Sequence, residues 1–248
     1  MLMAVTKRIV DSIVAQPAFD PLVRPMLKVA AYASRSRYTG QDFQVLSYDQ
    51  PYRAEGVRLI RQIRAEREML LSLPEAYSIF AAVKQTAKVP GDIAEVGVYQ
   101  GGSSKLICEA KGARQLHLFD TFAGLPPLRS IDRAKFTEGE YTCALDSVRE
   151  YLHSYSGITF YKGLFPETAA PLSNNHRFSF VHIDVDLYES TLSCLEFFYP
   201  RMSPGAVIIS HDYHTVRGVK AAFDEFLADR PEPLIEMTGD QCMVVRIG

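Results

Sequence analysis

A chain of 248 residues, 47% hydrophobic and 23% charged, has a globular composition and can bury a full core as one domain with an N-terminal extension. Lysine and arginine (27) nearly balance aspartate and glutamate (29), with no long basic run, so binding to a nucleic-acid backbone has no electrostatic support. Four scattered cysteines, Cys108, Cys143, Cys194 and Cys242, form no Cys-x-x-Cys pair; this argues against a disulfide framework or structural zinc and fits reduced thiols in a cytoplasmic protein.

Taken in chain order, Ile9, Val10, Ile13 and Val14 fall at helical spacing, interrupted by Lys7, Arg8 and Asp11. They predict an amphipathic helix packing on the body or on a second subunit, which makes a homodimer plausible. No window approaches the roughly 18 apolar residues of a membrane span, so no integral membrane association is expected. Pro17, Pro21 and Pro25 punctuate the next part, and the polar stretch Ser34–Asp42 reads as a loop. From Glu55, the positions Val57, Ile60, Ile63, Leu70 and Leu71 restore helical periodicity. That segment covers a ligand mouth, forms a dimer surface or simply packs. Residues 1–75 are thus assigned to a helical N-terminal extension and 76–248 to the main domain.

Pro74–Lys88 predicts another helix, ended by Pro90-Gly91-Asp92. Strands are expected at Ile93–Val96, Gln115–Asp120, Ile158–Lys162, Phe178–Asp184 and Ala206–Ser210, with helices near Ser103–Lys111, Ala144–Ser154, Thr191–Phe198 and Val219–Leu227. An irregular piece spans Thr121 to about Cys143. Two last strands, Leu234–Met237 and Met243–Ile247, are joined by a turn and form a hairpin that adds an antiparallel edge. Strand–helix alternation with nearly continuous apolar strands indicates an α/β fold: a mostly parallel, seven-stranded, Rossmann-like sheet with helices on both faces.

The chain is organised around Glu95-Val96-Gly97-Val98-Tyr99-Gln100-Gly101-Gly102-Ser103-Ser104, where a strand passes through glycines into a helix. Ser103 and Ser104 stand where a helix N-cap belongs. The spacing is Glu-x-Gly-x-x-x-Gly-Gly, not the Gly-x-Gly-x-x-Gly of nicotinamide-binding turns. A carboxylate at Glu95 would repel a pyrophosphate but suits an amino-acid ammonium group, such as that of S-adenosylmethionine. An ordinary corner with no ligand is the competing reading.

In parallel sheets ligands collect beyond the carboxyl ends of the strands. Those ends supply Glu95 to Gly102, Asp120, Gly163, Asp184 with Asp186, and His211 with Asp212. Asp120 ends the second strand, where an acid accepts hydrogen bonds from ribose hydroxyls; capping a helix is the alternative. Asp184 and Asp186 face one side if their strand runs on, and His211-Asp212 ends the next strand. Two such tips can hold one divalent ion, Mg²⁺ by their carboxylates, with imidazole tilting towards transition metals. A metal-free acid/base pair is the alternative. His117, His182 and His214 read as structural.

Five ordered motifs then carry a resemblance: Gly91–Ser103, Phe119–Pro126, Lys162–Thr168, His182–Tyr188 and His211–Tyr213. From about residue 66 to the end, the chain resembles the macrocin O-methyltransferase (TylF/MycF-type) family of class I methyltransferases. The resemblance implies use of S-adenosylmethionine and a divalent ion, usually Mg²⁺, to methylate a hydroxyl of a sugar or similar small molecule. Carried over by position, Glu95, Gly97, Tyr99, Gly101, Ser103, Asp120, Thr121, Gly163 and Asp184 would surround the methyl donor. Asp184 and Asp212 would be metal ligands and Asp186 or Asp184 near the base role, while His211 is a further candidate for either from its place at the same strand tip. One departure stands out: the antibiotic-sugar members carry an Asp-Asp-Tyr run where this chain has His211-Asp212-Tyr213. Two other functions therefore stay open: a metal-independent methyltransferase with His211 as general base, and a non-catalytic ligand-binding or assembly protein of the same fold.

Overall fold

The computed structural model describes residues 51–248 apart from 134, 173 and 238. The amphipathic stretch at 9–14, the prolines at 17, 21 and 25 and the loop expected at 34–42 lie outside the described residues. Two units are distinguished, Met1–Gln50 and Pro51–Gly248, and the second holds every element named below.

It opens with α1 (Pro51–Glu66) and α2 (Leu73–Gln85). Ser72 caps α2: the Glu75 N–H donates to Ser72 Oγ at 3.4 Å, while the Ser72 N–H donates to Glu75 Oε2 at 2.7 Å. Such a reciprocal cap contributes about 1 kcal/mol and fixes where the helix starts. Although the sequence groups 51–75 with the extension, Ile60, Ile63 and Leu71 pack into one core with Ile93 and Leu116 of the sheet and Ile107 of the helix that follows the first strand.

The strands are β1 (Asp92–Val96), β2 (Leu116–Asp120), β3 (Ile158–Lys162), β4 (Phe178–Ile183), β5 (Met202–Ser210), β6 (Leu234–Glu236) and β7 (Cys242–Val245), in the spatial order β3-β2-β1-β4-β5-β7-β6. The first five pair in parallel, and β7 runs antiparallel to both β5 and β6, so the terminal hairpin supplies the antiparallel edge. Crossovers use α3 (Gly102–Ala110), α4 (Leu145–Tyr151), α5 (Tyr188–Phe198) and α6 (Arg217–Leu227).

Every residue of β4 is buried, as a central strand covered on both faces requires. One face packs aromatic rings: Phe119, Phe165, Phe178 and Phe198 meet at centroid separations of 5.0–6.2 Å. The other is mainly aliphatic, with Ile93, Leu106, Ile107 and Ile209. Each fully buried side chain of this size contributes roughly 1.5–3 kcal/mol. The four cysteines are free thiols. No helix of the described residues is long and apolar enough to cross a membrane.

Candidate active site

A cavity of about 240 Å³ opens beyond the carboxyl ends of β1, β2, β4 and β5, where the parallel topology leaves strand tips uncovered. Its floor is the turn after β1. Gly97 has φ +90°, and a Cβ there would lie 1.8 Å from the Asp184 carbonyl oxygen. Only glycine lets the tips of β1 and β4 touch. Tyr99, Tyr141, Asp186 and Asp212 also have positive φ (48°, 63°, 61° and 61°), and all four line the cavity. Non-glycine residues held in that region cost roughly 1–2 kcal/mol each, and strain gathered around one cavity marks a site at which shape outweighs stability.

Asp120 ties the turn together. Its Oδ2 accepts from the Val98 and Tyr99 N–H groups at 2.7 and 3.0 Å, and its Oδ1 from the Phe122 N–H at 2.6 Å. The helix-capping alternative therefore gives way to a loop-fixing carboxylate on the cavity wall, with lone pairs left for a ligand's hydroxyls.

Glu95 requires a correction. The sequence sets it against an ammonium group, but it is fully buried in β1 and does not line the cavity. The β1–β4 register sets it opposite His182, whose Nδ1 lies 2.9 Å from Glu95 Oε1, and Ser104 Oγ donates to Glu95 Oε2. The strand period turns its side chain between the sheet and α3, away from the turn. Gly101 is the second correction: at φ +81° it is the N-cap of α3 and not a wall residue, so neither Ser103 nor Ser104 caps that helix.

Beside the turn, the tips of β4 and β5 gather charge. His211 Nδ1 lies 3.4 Å from Asp184 Oδ1 and 3.2 Å from Asp212 Oδ2, while its Nε2 faces Glu75 Oε2 at 3.6 Å. Lys135 Nζ stands 3.7 Å from Asp212 Oδ1 at the rim. Burial, then the charges of Asp184 and Asp212, push the Asp186 carboxyl up to about 9. Burial alone would lower the pKa of His211, but Asp184, Asp212 and Glu75 more than offset it and raise it. Burial would raise Asp212 and Glu75, yet the hydrogen bonds from His211 help hold each down at about 2. At neutral pH the cluster thus holds protons on Asp186 and His211 because its acids outnumber its cations. Excess negative charge, half-buried and facing a cavity, is what a cation or a hydrogen-bond donor would neutralise.

Of the expected donor-site residues, Gly97, Tyr99, Ser103 and Asp120 line the cavity, as do Thr121, Gly163 and Asp184. The expected metal ligands Asp184, His211 and Asp212 come together, with their ligand atoms within 4.8 Å of one another. His211 as a base is not favoured by its raised pKa. Sequence reasoning missed Glu75, although Ser72-Leu73-Pro74-Glu75 is a legible capping box. It also missed Lys135 and Tyr141, which lie in the stretch without periodicity, and Glu68, which accepts from Tyr99 Oη at 2.8 Å.

A family model described as macrocin O-methyltransferase (TylF) matches residues 67–244. An 8-demethyl-8-(2,3-dimethoxy-alpha-L-rhamnosyl)-tetracenomycin-C 4'-O-methyltransferase of Streptomyces olivaceus is 35% identical over 141 residues, 50% of this chain and 54% of that protein, so this match spans about half the relative's length. The mycinamicin III 3''-O-methyltransferase of Micromonospora griseorubida is 25% identical over 225 residues, covering 84% of this chain and 80% of its own. Among solved structures, the O-methyltransferase NovP has a TM-score of 0.66 at 26% identity, over 77% of this chain and 88% of that one.

Proposed function

This chain belongs to the macrocin O-methyltransferase (TylF) family, and from that premise we propose that it methylates a hydroxyl of a sugar or similar natural-product-like small molecule, using S-adenosylmethionine and a divalent cation such as Mg²⁺. The observation that carries the reading is that one cavity joins the glycine turn and Asp120 to the acid cluster at the tips of β4 and β5. The activities of the relatives, methyl transfer to oxygen on tetracenomycin and mycinamicin compounds, support the acceptor class.

The residues present fit both groups. For the methyl donor, the bare backbone at Gly97 and the Asp120 carboxylate offer close approach and hydroxyl acceptors. For the cation, the Asp184 and Asp212 carboxylates would be the ligands, and His211, at N···O spacings of 3.2 and 3.4 Å from them, would join only as neutral imidazole, its proton displaced by the incoming charge. Bound there, a cation supplies positive charge against the attacking oxygen, which otherwise keeps its proton at neutral pH. Asp186 is the group suited to take that proton once ionised: its carboxyl, pushed up to about 9 by burial and by the charges of Asp184 and Asp212, would give up its own proton as a cation offsets those charges. Without the cation, protonated His211 is the counter-charge to Asp184 and Asp212. Tyr99 and Tyr141, edge to face at 5.8 Å, wall the cavity.

Labelled S-adenosylmethionine, incubated with the protein and a panel of glycosylated natural products with Mg²⁺ or with chelator, tests this by mass spectrometry. Methyl gain that needs Mg²⁺ is the expected result. Equal transfer in chelator would move the reading to metal-independent catalysis. Calorimetry with S-adenosylhomocysteine that gives neither heat nor thermal shift would leave only a non-catalytic role. We further propose a cytoplasmic protein, from its free thiols, and a homodimer, the second of which light scattering checks.

A further inference from the structure

At the opposite end of the sheet, three side chains that the methyl-transfer reading does not use converge. Asp92 opens β1, His117 lies on β2, and His176 stands two residues before β4, on the three neighbouring segments β2-β1-β4. Both imidazoles aim Nε2 at one oxygen, Asp92 Oδ2: His117 from 3.2 Å and His176 from 2.9 Å. The two rings meet edge to face at 4.9 Å. From the five-residue length of β1, at about 3.3 Å per residue, this cluster lies roughly 15 Å from the glycine turn.

We propose that Asp92, His117 and His176 form a second metal site, selective for Zn²⁺ or a similar borderline transition metal, with solvent as the fourth ligand. A tetrahedral Zn²⁺ with arms of 2.0–2.1 Å sets its ligand atoms about 3.3 Å apart, close to the two N···O separations seen. All three ligand atoms lie within 4.8 Å of one another. Two imidazoles with one carboxylate favour Zn²⁺ over Mg²⁺, which prefers oxygen. The arrangement also has the support that a metal-binding histidine takes: His117 Nδ1 lies 2.9 Å from Tyr161 Oη, so its N–H can turn to that hydroxyl while Nε2 offers its lone pair. His117 is 8% exposed, whereas Asp92 and His176 are 27% and 24% exposed, which leaves a path for the ion and a place for water. The ion would pin the starts of three parallel strands and would not touch the reacting atoms. The competing arrangement is a plain carboxylate accepting two imidazole hydrogen bonds.

Untagged, chelator-stripped, full-length protein titrated with Zn²⁺ against a chromophoric chelator decides between them, alongside His176→Ala and Asp184→Ala/Asp212→Ala. Wild type and the double variant should each retain one tight equivalent at this site, with Tm raised by roughly 5 °C at a hundredfold excess over Kd. His176→Ala should lose that equivalent and that shift while keeping methyl transfer at the wild-type level. Co²⁺ substitution gives a readout independent of folding yield: visible absorption present in wild type and absent in His176→Ala. Zn²⁺ uptake unchanged in His176→Ala, or lost in a folded double variant, would overturn the proposal.

Discussion

Two histidines on adjacent strands, each beside carboxylates, behave in opposite ways. His182 sits inside β4 with one carboxylate, Glu95, and both are fully buried; Ser104 completes the set. His211, one strand over and just past the tip of β5, meets three acids, Glu75, Asp184 and Asp212, at a cavity edge. The inner group matches one acid to one imidazole and is closed to solvent. The outer group has acids to spare, and its surplus appears as protons bound to Asp186 and His211. Stoichiometry and access, rather than residue type, separate a structural pair from a ligand site.

Substitutions can break that contrast. The largest effect is expected on the outer group: Asp184→Ala should lower methyl transfer roughly 10²–10³-fold, the several kcal/mol that a cation against an attacking oxygen supplies, while the urea midpoint stays nearly unchanged. Wild-type turnover in that variant would remove the cluster from the chemistry. The inner group should respond in the other currency. Glu95→Gln should cost roughly 1–3 kcal/mol of stability, because an amide keeps one acceptor, for His182, and leaves the Ser104 hydroxyl proton without the oxygen it now donates to, with S-adenosylhomocysteine affinity preserved in the folded protein. A large affinity loss without destabilisation would return Glu95 to the ligand.

The smallest effect sharpens the comparison through pH. The Asp186 carboxyl is raised to about 9, above its unfolded value near 4, so the folded state holds this proton more tightly. Its contribution to stability is therefore full below about pH 4 and is lost as pH rises towards 9. Asp186→Asn, which tolerates φ +61°, should flatten that decline and leave Tm at pH 8 equal to or above wild type, while transfer falls. An unchanged slope in thermal melts across pH 5–9 would contradict the assigned proton.

The sheet was legible because β1, β2, β4 and the end of β5 are nearly continuous apolar runs bounded by glycine, proline or acids, as strands covered on both faces are. The tip cluster was legible because topology alone sends the ends of adjacent parallel strands to one place. Glu95 was misplaced for the opposite reason: its partner depends on the β1–β4 register, which pairs it with His182 across an intervening stretch of fold that no local pattern encodes. Ser104 went with it, its hydroxyl turned to Glu95 while Gly101 took the cap position. Glu75 announced itself only as a capping residue. Its second role arises because one carboxylate reaches the Ser72 and Asp240 N–H groups and His211 together, a consequence of how α2 lies against the end of β5.

The missing side chain at Gly97 has a mechanical consequence. Because the Asp184 carbonyl fills the place a Cβ would take, the bend that would cradle the sulfonium and the strand that would orient the receiving oxygen are braced against each other without a spacer. Donor and recipient would thus share one strut. The wall around Lys135 and Tyr141, on irregular backbone, is not braced in this way, so its shape can change without lengthening the path the alkyl group would travel.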